Sequence, residues 1–133
     1  MSEAVLVGLL FADRIITENN GKKGIIGTFN KFYSQRFPIS FPPWAIYAAV
    51  TNLEGKHEFA LNLVNEETSQ VIVPLSGQFE ARNRTDVVEL TPTIVGAVFP
   101  KAGIYTLIFY VDGQNLGARV LTVSPPKQAG GQG

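Results

Sequence analysis

The chain has 133 residues, 45% of them hydrophobic, and its 11 basic side chains are balanced by 11 acidic ones. This length fits one domain and this apolar content can fill a core, so disorder along the whole chain is excluded. Nucleic-acid binding needs a basic surface, and the densest basic spots here, Lys22-Lys23 and Arg82 with Arg84, are only pairs, so we expect no nucleic-acid partner.

Strand periodicity dominates the chain, and no window has the spacing of an amphipathic helix. The first apolar run, Ala4–Ile16, predicts a central strand covered on both faces. Its uncharged part, Ala4–Ala12, is too short to span a membrane, and no basic segment precedes it, so we expect neither a membrane segment nor an export signal. The turn-forming residues Glu18–Gly24 then separate it from a second predicted strand, Ile25–Ser34.

The middle of the chain predicts strands separated by less regular segments. Prolines make Gln35–Pro43 an irregular link, because proline lacks the N–H that a β-ladder requires. Three strands forming a meander are predicted beyond it, at Trp44–Asn52, His57–Asn65 and Gln70–Leu75. Ser76–Asp86 is expected to cross between sheets or to form a short edge strand. Val87–Val98 contains Pro92 and Gly96, which predict a bulge or an edge position.

The last third has the clearest pattern. Ile104–Val111 alternates Tyr105, Leu107, Phe109 and Val111 against the residues between them, and Asp112-Gly113 predicts a hairpin to the closing strand Leu116–Val123. The preceding Ala102-Gly103-Ile104-Tyr105 is typical of a tyrosine corner, in which the hydroxyl bonds to the backbone a few residues upstream. We therefore expect an all-β fold in residues 1–123: a two-sheet antiparallel sandwich, Greek-key or immunoglobulin-like, of about eight or nine strands. Residues 124–133, rich in Pro, Gly and Gln, predict a disordered tail.

Few residues of the chain could take part in catalysis or metal binding. His57 is the single histidine, and its neighbour Glu58 would point to the opposite face of a strand, so we interpret His57 as half-buried at a strand edge. The serines lack the G-x-S-x-G setting of a nucleophile, and Glu66-Glu67 lies in a predicted turn. The chain has no cysteine, which excludes disulfides and cysteine-based metal sites and favours a cytoplasmic location. We expect no enzyme activity, no cofactor and no metal.

The most suggestive segment sets aromatic residues among prolines: Phe37, Phe41 and Trp44 lie with Pro38, Pro42 and Pro43 in residues 37–44. If the rings are exposed, they form a candidate interaction surface, or a platform on which a carbohydrate could stack. If they are buried, they close one end of the core, which is the interpretation that we favour for so small a domain.

The charged fraction of 17% is below the roughly 25% of ordinary soluble domains. A small domain has much surface, and a shortage of charge suggests that part of it is covered. A second copy of the chain is the simplest cover, so we expect a homo-oligomer. The sequence therefore favours a non-catalytic structural or protein-interaction module, with a small-ligand binding module, for example for a carbohydrate, as the alternative.

The order of several motifs along the chain resembles a family of small bacterial proteins known only as a domain of unknown function. The resemblance spans roughly residues 4–123. The motifs that carry it are Ala12-Asp13, Asn20-Gly21-Lys22, Ile25-Ile26-Gly27-Thr28-Phe29, Phe37-Pro38, Pro100-Lys101-Ala102-Gly103-Ile104-Tyr105 and Val111-Asp112-Gly113. It implies a Greek-key β-sandwich and provides no catalytic positions to transfer.

Overall fold

The computed structural model describes residues 3–126, and within this range the chain forms twelve strands and no helix. It thus confirms the all-β class, although the strands are more numerous than the eight or nine expected. The strands are β1 (Val5–Thr17), β2 (Lys23–Phe29), β3 (Lys31–Tyr33), β4 (Ile39–Ser40), β5 (Trp44–Thr51), β6 (Gly55–Asn65), β7 (Val71–Ala81), β8 (Val88–Leu90), β9 (Thr93–Ile94), β10 (Val98–Phe99), β11 (Gly103–Val111) and β12 (Gln114–Ser124).

The strands form two five-stranded sheets. Sheet I has the order β2-β1-β5-β8, with β9 also paired to β5, and sheet II has the order β3-β12-β11-β6-β7. The short strands β4 and β10 pair with each other in a third, two-stranded sheet. All pairings are antiparallel except that of β3 with β12, which is parallel. This pair departs from the purely antiparallel arrangement that the sequence predicted.

Two predicted elements were wrong, because the chain changes sheet where the sequence predicted continuous pairing. The strand predicted at Ile25–Ser34 is interrupted at Asn30, because β2 belongs to sheet I and β3 to sheet II. The predicted meander of 44–75 does not exist, because β5 lies in sheet I while β6 and β7 form a hairpin in sheet II. Ser76–Asp86 was expected either to cross between sheets or to form an edge strand, and the edge position is confirmed, because β7 continues to Ala81 as the edge strand of sheet II. Strand periodicity cannot reveal such changes of sheet, because it is the same in both.

Other predictions hold. β8 and β9 lie at the edge of sheet I beside β5, on either side of Pro92, as the proline predicted. The N-terminal strand β1 is internal to its sheet, between β2 and β5. It is covered on both faces only at its middle, where the successive residues Phe11 and Ala12 are both buried, whereas Val5 and Val7 are about half exposed. β12 ends at Ser124, one residue into the predicted tail, and residues 127–133 of that tail lie outside the described residues.

One hydrophobic core is built from side chains of both sheets. On β11 the alternation predicted from the sequence is confirmed: Tyr105, Leu107, Phe109 and Val111 are all buried. Sheet I contributes Leu9 and Phe11 from β1 and Trp44, Ile46, Ala48 and Val50 from β5, and sheet II further contributes Leu61, Leu63, Leu121 and Val123. Burying these apolar faces against each other is the main favourable contribution to folding.

The hairpin between β11 and β12 turns as the sequence predicted. Asp112 and Gly113 have φ angles of 50° and 81°. Positive φ at both central residues is the geometry of a type I′ turn, whose twist matches that of the flanking strands. Glycine adopts such angles without strain, and aspartate tolerates them better than most other residues.

The tyrosine corner is also present. Tyr105 is fully buried, and its hydroxyl donates a hydrogen bond of 2.6 Å to the backbone carbonyl of Lys101. Its ring packs edge-on against Phe99, with the ring centroids 5.0 Å apart. The bond therefore fixes the loop before β11 to the strand itself.

Replacing Tyr105 with Phe removes this hydrogen bond and retains the ring. We expect the free energy of unfolding to fall by about 1 kcal/mol, the typical net value of one such bond, as measured by urea denaturation. Tyr33→Phe is the matched control, because Tyr33 is 52% exposed, and we expect no change there. An equal effect of both substitutions would contradict the tyrosine corner's role.

Candidate interaction surface

The aromatic segment 37–44 packs inward. Trp44, the first residue of β5, is only 3% exposed. Its ring lies 6.0 Å from that of Phe11 and 5.7 Å from that of Phe32, measured between centroids, and both contacts are edge-on. Trp44 is therefore surrounded by aromatic side chains of the core.

Phe41 joins the same cluster. Its ring stacks on Phe32 with a centroid distance of 4.1 Å and an angle of 12° between the planes, and it contacts Phe99 edge-on. Phe37 is partly buried and packs against the core as well; its peptide bond to Pro38 is cis. Trp44 is thus buried, and Phe37 and Phe41 are partly buried against the core, which favours the interpretation of this segment as a plug. A sugar needs the open face of a ring, and Trp44 offers none.

This burial predicts the fluorescence of Trp44, the single tryptophan. We expect a blue-shifted emission maximum and weak quenching by iodide or acrylamide, because the indole is shielded from water. The control is the same protein in 8 M urea, where emission should shift to the red and quenching should become efficient. Red, readily quenched emission from the folded protein would instead support an exposed stacking platform.

His57, the single histidine, has a partner that the sequence did not reveal. Its Nδ1 lies 2.6 Å from Oδ2 of Asp112, and its Nε2 lies 2.7 Å from the backbone carbonyl oxygen of Glu54. The ring also stacks on Phe79, 5.7 Å away. His57 is half-buried as expected, and it connects the start of β6 to the β11–β12 turn.

The second oxygen of Asp112 completes the arrangement. Oδ1 accepts a hydrogen bond from the backbone N–H of Glu58, and the backbone N–H of Asp112 donates to the carbonyl of Glu58. The first of these bonds, together with His57, lowers the pKa of Asp112. Asp112 was singled out in the sequence only as a turn residue. No local signal could have connected it to His57, because the two lie 55 positions apart and meet only when β6 pairs with β11.

Both ring nitrogens of His57 face acceptors, and only the protonated imidazole can donate two hydrogen bonds. The hydrogen bond to Asp112 raises the pKa of His57, burial opposes this rise, and the Glu54 carbonyl and the Asp112 charge add to it. A raised pKa in the folded state means that protonation stabilises the fold. This stabilisation is fully present below the pKa of an unfolded histidine, about 6.5, and disappears as the pH rises through the higher pKa of the folded state.

We therefore expect the melting temperature to decrease as the pH is raised from 6 to 9, and His57→Gln to flatten this dependence. Because the chain has a single histidine, no other side chain of that type titrates in the interval. Differential scanning calorimetry at several pH values measures both proteins. Parallel curves for the two would show that His57 does not make this contribution.

A second polar contact lies on the outward side of sheet I. The hydroxyl of Tyr47 on β5 donates a 2.5 Å hydrogen bond to Oε2 of Glu89 on β8. Burial, followed by the hydrogen bond to Glu89 and the charge of that residue, raises the pKa of Tyr47 to about 12. Tyr47 therefore stays protonated at physiological pH, and a carboxylate lies on this face of the sheet.

Large apolar side chains remain exposed on both sheets and in the loops. The exposed fraction of each of these side chains lies between 37% and 73%. They are Val5, Val7, Ile16, Ile25, Ile26, Tyr33, Val71, Val87, Val95, Val98, Ile104 and Val120. The sequence indicated such a surface only indirectly, through its low charge.

Within residues 3–126, no group of three or more His, Asp or Glu side chains is placed to hold a metal ion. No helix in the same range is long and apolar enough to cross a membrane.

The fold and these contacts define an all-β protein whose two sheets share one core. The chain belongs to a family of unknown function, DUF6941, whose model matches residues 8–124. The match includes β2 to β12 and most of β1, so it confirms the resemblance to a domain of unknown function. A search of the curated proteins found no match.

Proposed function

We propose that this protein is a non-catalytic structural or protein-interaction module that associates with copies of itself. The observation that carries the proposal is the set of twelve large apolar side chains exposed on the described surface, in a chain with only 17% charged residues. Large apolar side chains left in water favour association, because covering them with a partner gains the free energy of their burial.

The contacts of the single histidine, and the absence of cysteine, support the proposal that the protein is non-catalytic. Both ring nitrogens of the only histidine are held by Asp112 and by the backbone of Glu54, so neither is free to accept a proton from a substrate. The chain has no cysteine nucleophile. His57 and Asp112 thus hold the β11–β12 turn to the start of β6.

We also propose that the two sheets form a sandwich of Greek-key type. Supporting this, the buried side chains of β1 and β5 and those of β6, β11 and β12 belong to one core cluster. The tyrosine corner of Tyr105 and Lys101 is a feature of Greek-key sandwiches. The chain also changes sheet repeatedly, between β2 and β3 and between β5 and β6.

Native mass spectrometry of the protein, purified gently from its own source cells, tests the proposed function. We expect a mass equal to two or more chains at micromolar concentration, because burial of the exposed apolar side chains favours association. Dilution into the nanomolar range serves as the control and should shift the population towards the monomer. A monomer at every concentration would overturn the self-association, and added mass from a small molecule would support a ligand-binding module instead.

A further inference from the structure

We infer that Asn20, in the turn between β1 and β2, is a site of spontaneous covalent modification. Its side-chain amide is lost through a cyclic imide, and aspartate or isoaspartate takes the place of asparagine. The reaction needs only water as a co-reactant. This site goes beyond the proposed self-association and does not depend on it.

The residue that follows Asn20 favours this reaction. The chain has eight asparagines, and Asn20 alone is followed by glycine. Formation of the imide requires the backbone nitrogen of the next residue to reach Cγ of the asparagine. Glycine has no Cβ and adopts a wider range of backbone angles than other residues, so Gly21 obstructs this approach least. Asparagine is also among the thermolabile residues that hyperthermophilic proteins contain less often.

The turn that contains Asn20 lies beyond the last paired residues of its hairpin, Thr17 and Lys23. Residues 18–22 are all exposed. Gly21 has a φ angle of 88°, and a Cβ added there would meet no heavy atom within 4 Å. The backbone at Gly21 can therefore rearrange without a clash with the rest of the protein.

The contacts of the turn place a donor where the reaction develops charge. Oδ1 of Asn20 accepts a 3.0 Å hydrogen bond from the backbone N–H of Lys22. Attack on Cγ transfers negative charge to Oδ1, and a backbone N–H that already donates to this oxygen stabilises that charge. The N–H of Gly21 donates a 2.8 Å hydrogen bond to the carbonyl of Glu18 and must release it first. Exposed backbone bonds at the end of a hairpin open at little cost in free energy.

The reaction has two steps. The nitrogen of Gly21 loses its proton and forms a bond to Cγ of Asn20, while the Cγ–Nδ2 bond breaks and Nδ2 leaves as ammonia with a proton from the solvent. Water then opens the imide. Cleavage of the bond from the Gly21 nitrogen to Cγ gives aspartate. Cleavage of its bond to the backbone carbonyl carbon gives isoaspartate, in which the main chain runs through Cβ and Cγ.

Asn83 provides an internal comparison with the same local contact. Its Oδ1 accepts a 3.1 Å hydrogen bond from the backbone N–H of Thr85, two residues further on, as in the turn of Asn20. Asn83 is exposed as well. The next residue, however, is Arg84, whose carbonyl accepts a hydrogen bond from the N–H of Asn52 and whose Nε donates to Oδ1 of Asn52. Because Arg84 carries a side chain and is fixed to another loop, we expect Asn83 to be unreactive.

The modification would change the turn in two ways. Either product places a new carboxylate at position 20, two residues from that of Glu18. Isoaspartate also adds a methylene to the main chain, which alters the spacing of the 2.8 Å hydrogen bond from the N–H of Glu18 to the carbonyl of Lys22. We therefore expect the modified protein to be more acidic and the end of its β1–β2 hairpin to be less ordered.

Incubation of the purified full-length protein for several weeks tests the inference. Peptide mapping by mass spectrometry locates the deamidated residue, and an isoaspartyl methyltransferase with a labelled methyl donor counts isoaspartate. We expect aspartate and isoaspartate to accumulate together at position 20 and Asn83 to stay unmodified. The rate should rise as the pH is raised from 6 to 9, because the nitrogen of Gly21 must lose its proton.

Two matched variants separate Asn20 from its neighbour. Asn20→Gln retains the amide on a longer side chain, which would have to close a larger and less favourable ring, so we expect the modification to be lost. Asn19→Gln leaves Asn20 and Gly21 in place, and we expect the rate to be unchanged.

The protein unfolded in guanidinium chloride provides the reference for a chain without the turn. If position 20 stays intact in the folded protein while the unfolded protein is converted, the turn protects Asn20 and the inference is wrong. Equal modification of Asn83, or unchanged modification of the Asn20→Gln variant, would also overturn it. Aspartate without isoaspartate would contradict the imide route.

Discussion

The structure depends on the burial of two apolar sheet faces against each other. Sheet II presents Leu107 and Phe109, and sheet I presents Phe11 and Ile46, all of them fully buried. The other features follow from this contact. The tyrosine corner and the His57–Asp112 contact each hold a loop or a turn to a strand of sheet II, whose inward face forms half of the core.

The contacts between aromatic residues join segments that are distant in the chain. Phe29 at the end of β2 and Phe32 on β3 both contact Trp44. Phe32 in turn contacts Phe41 in the proline-rich link and Phe99 on β10. These residues lie where the chain leaves one sheet for another or runs between short strands. Aromatic side chains bury a large area for each residue ordered, so a few of them can hold irregular segments that have few backbone pairings.

The composition of the outward faces also depends on the small size of the core. In a small domain the core needs only one face of each strand, and the other face meets water. On β11 the outward residues are Ile104, Thr106, Ile108 and Tyr110, none of them charged. Solubility alone would favour charged residues there. The uncharged outward side of β11 is therefore a feature of this protein that core packing does not explain.

The sequence by itself determined the all-β class, the strands β1, β5, β6, β11 and β12, the Asp112-Gly113 turn and the tyrosine corner of Tyr105. These depend on local properties: side-chain alternation, positive φ at turn residues and short-range hydrogen bonds. It also indicated that Trp44 and its neighbours pack into the core, since the chain is too small to leave so many aromatic residues outside. Only the tertiary structure decided which strands share a sheet, that β2 and β3 separate at Asn30, and that Asp112 is the partner of His57. Strand periodicity is the same in every sheet, and pairing between distant strands depends on how two apolar faces close over one core, which no local pattern encodes.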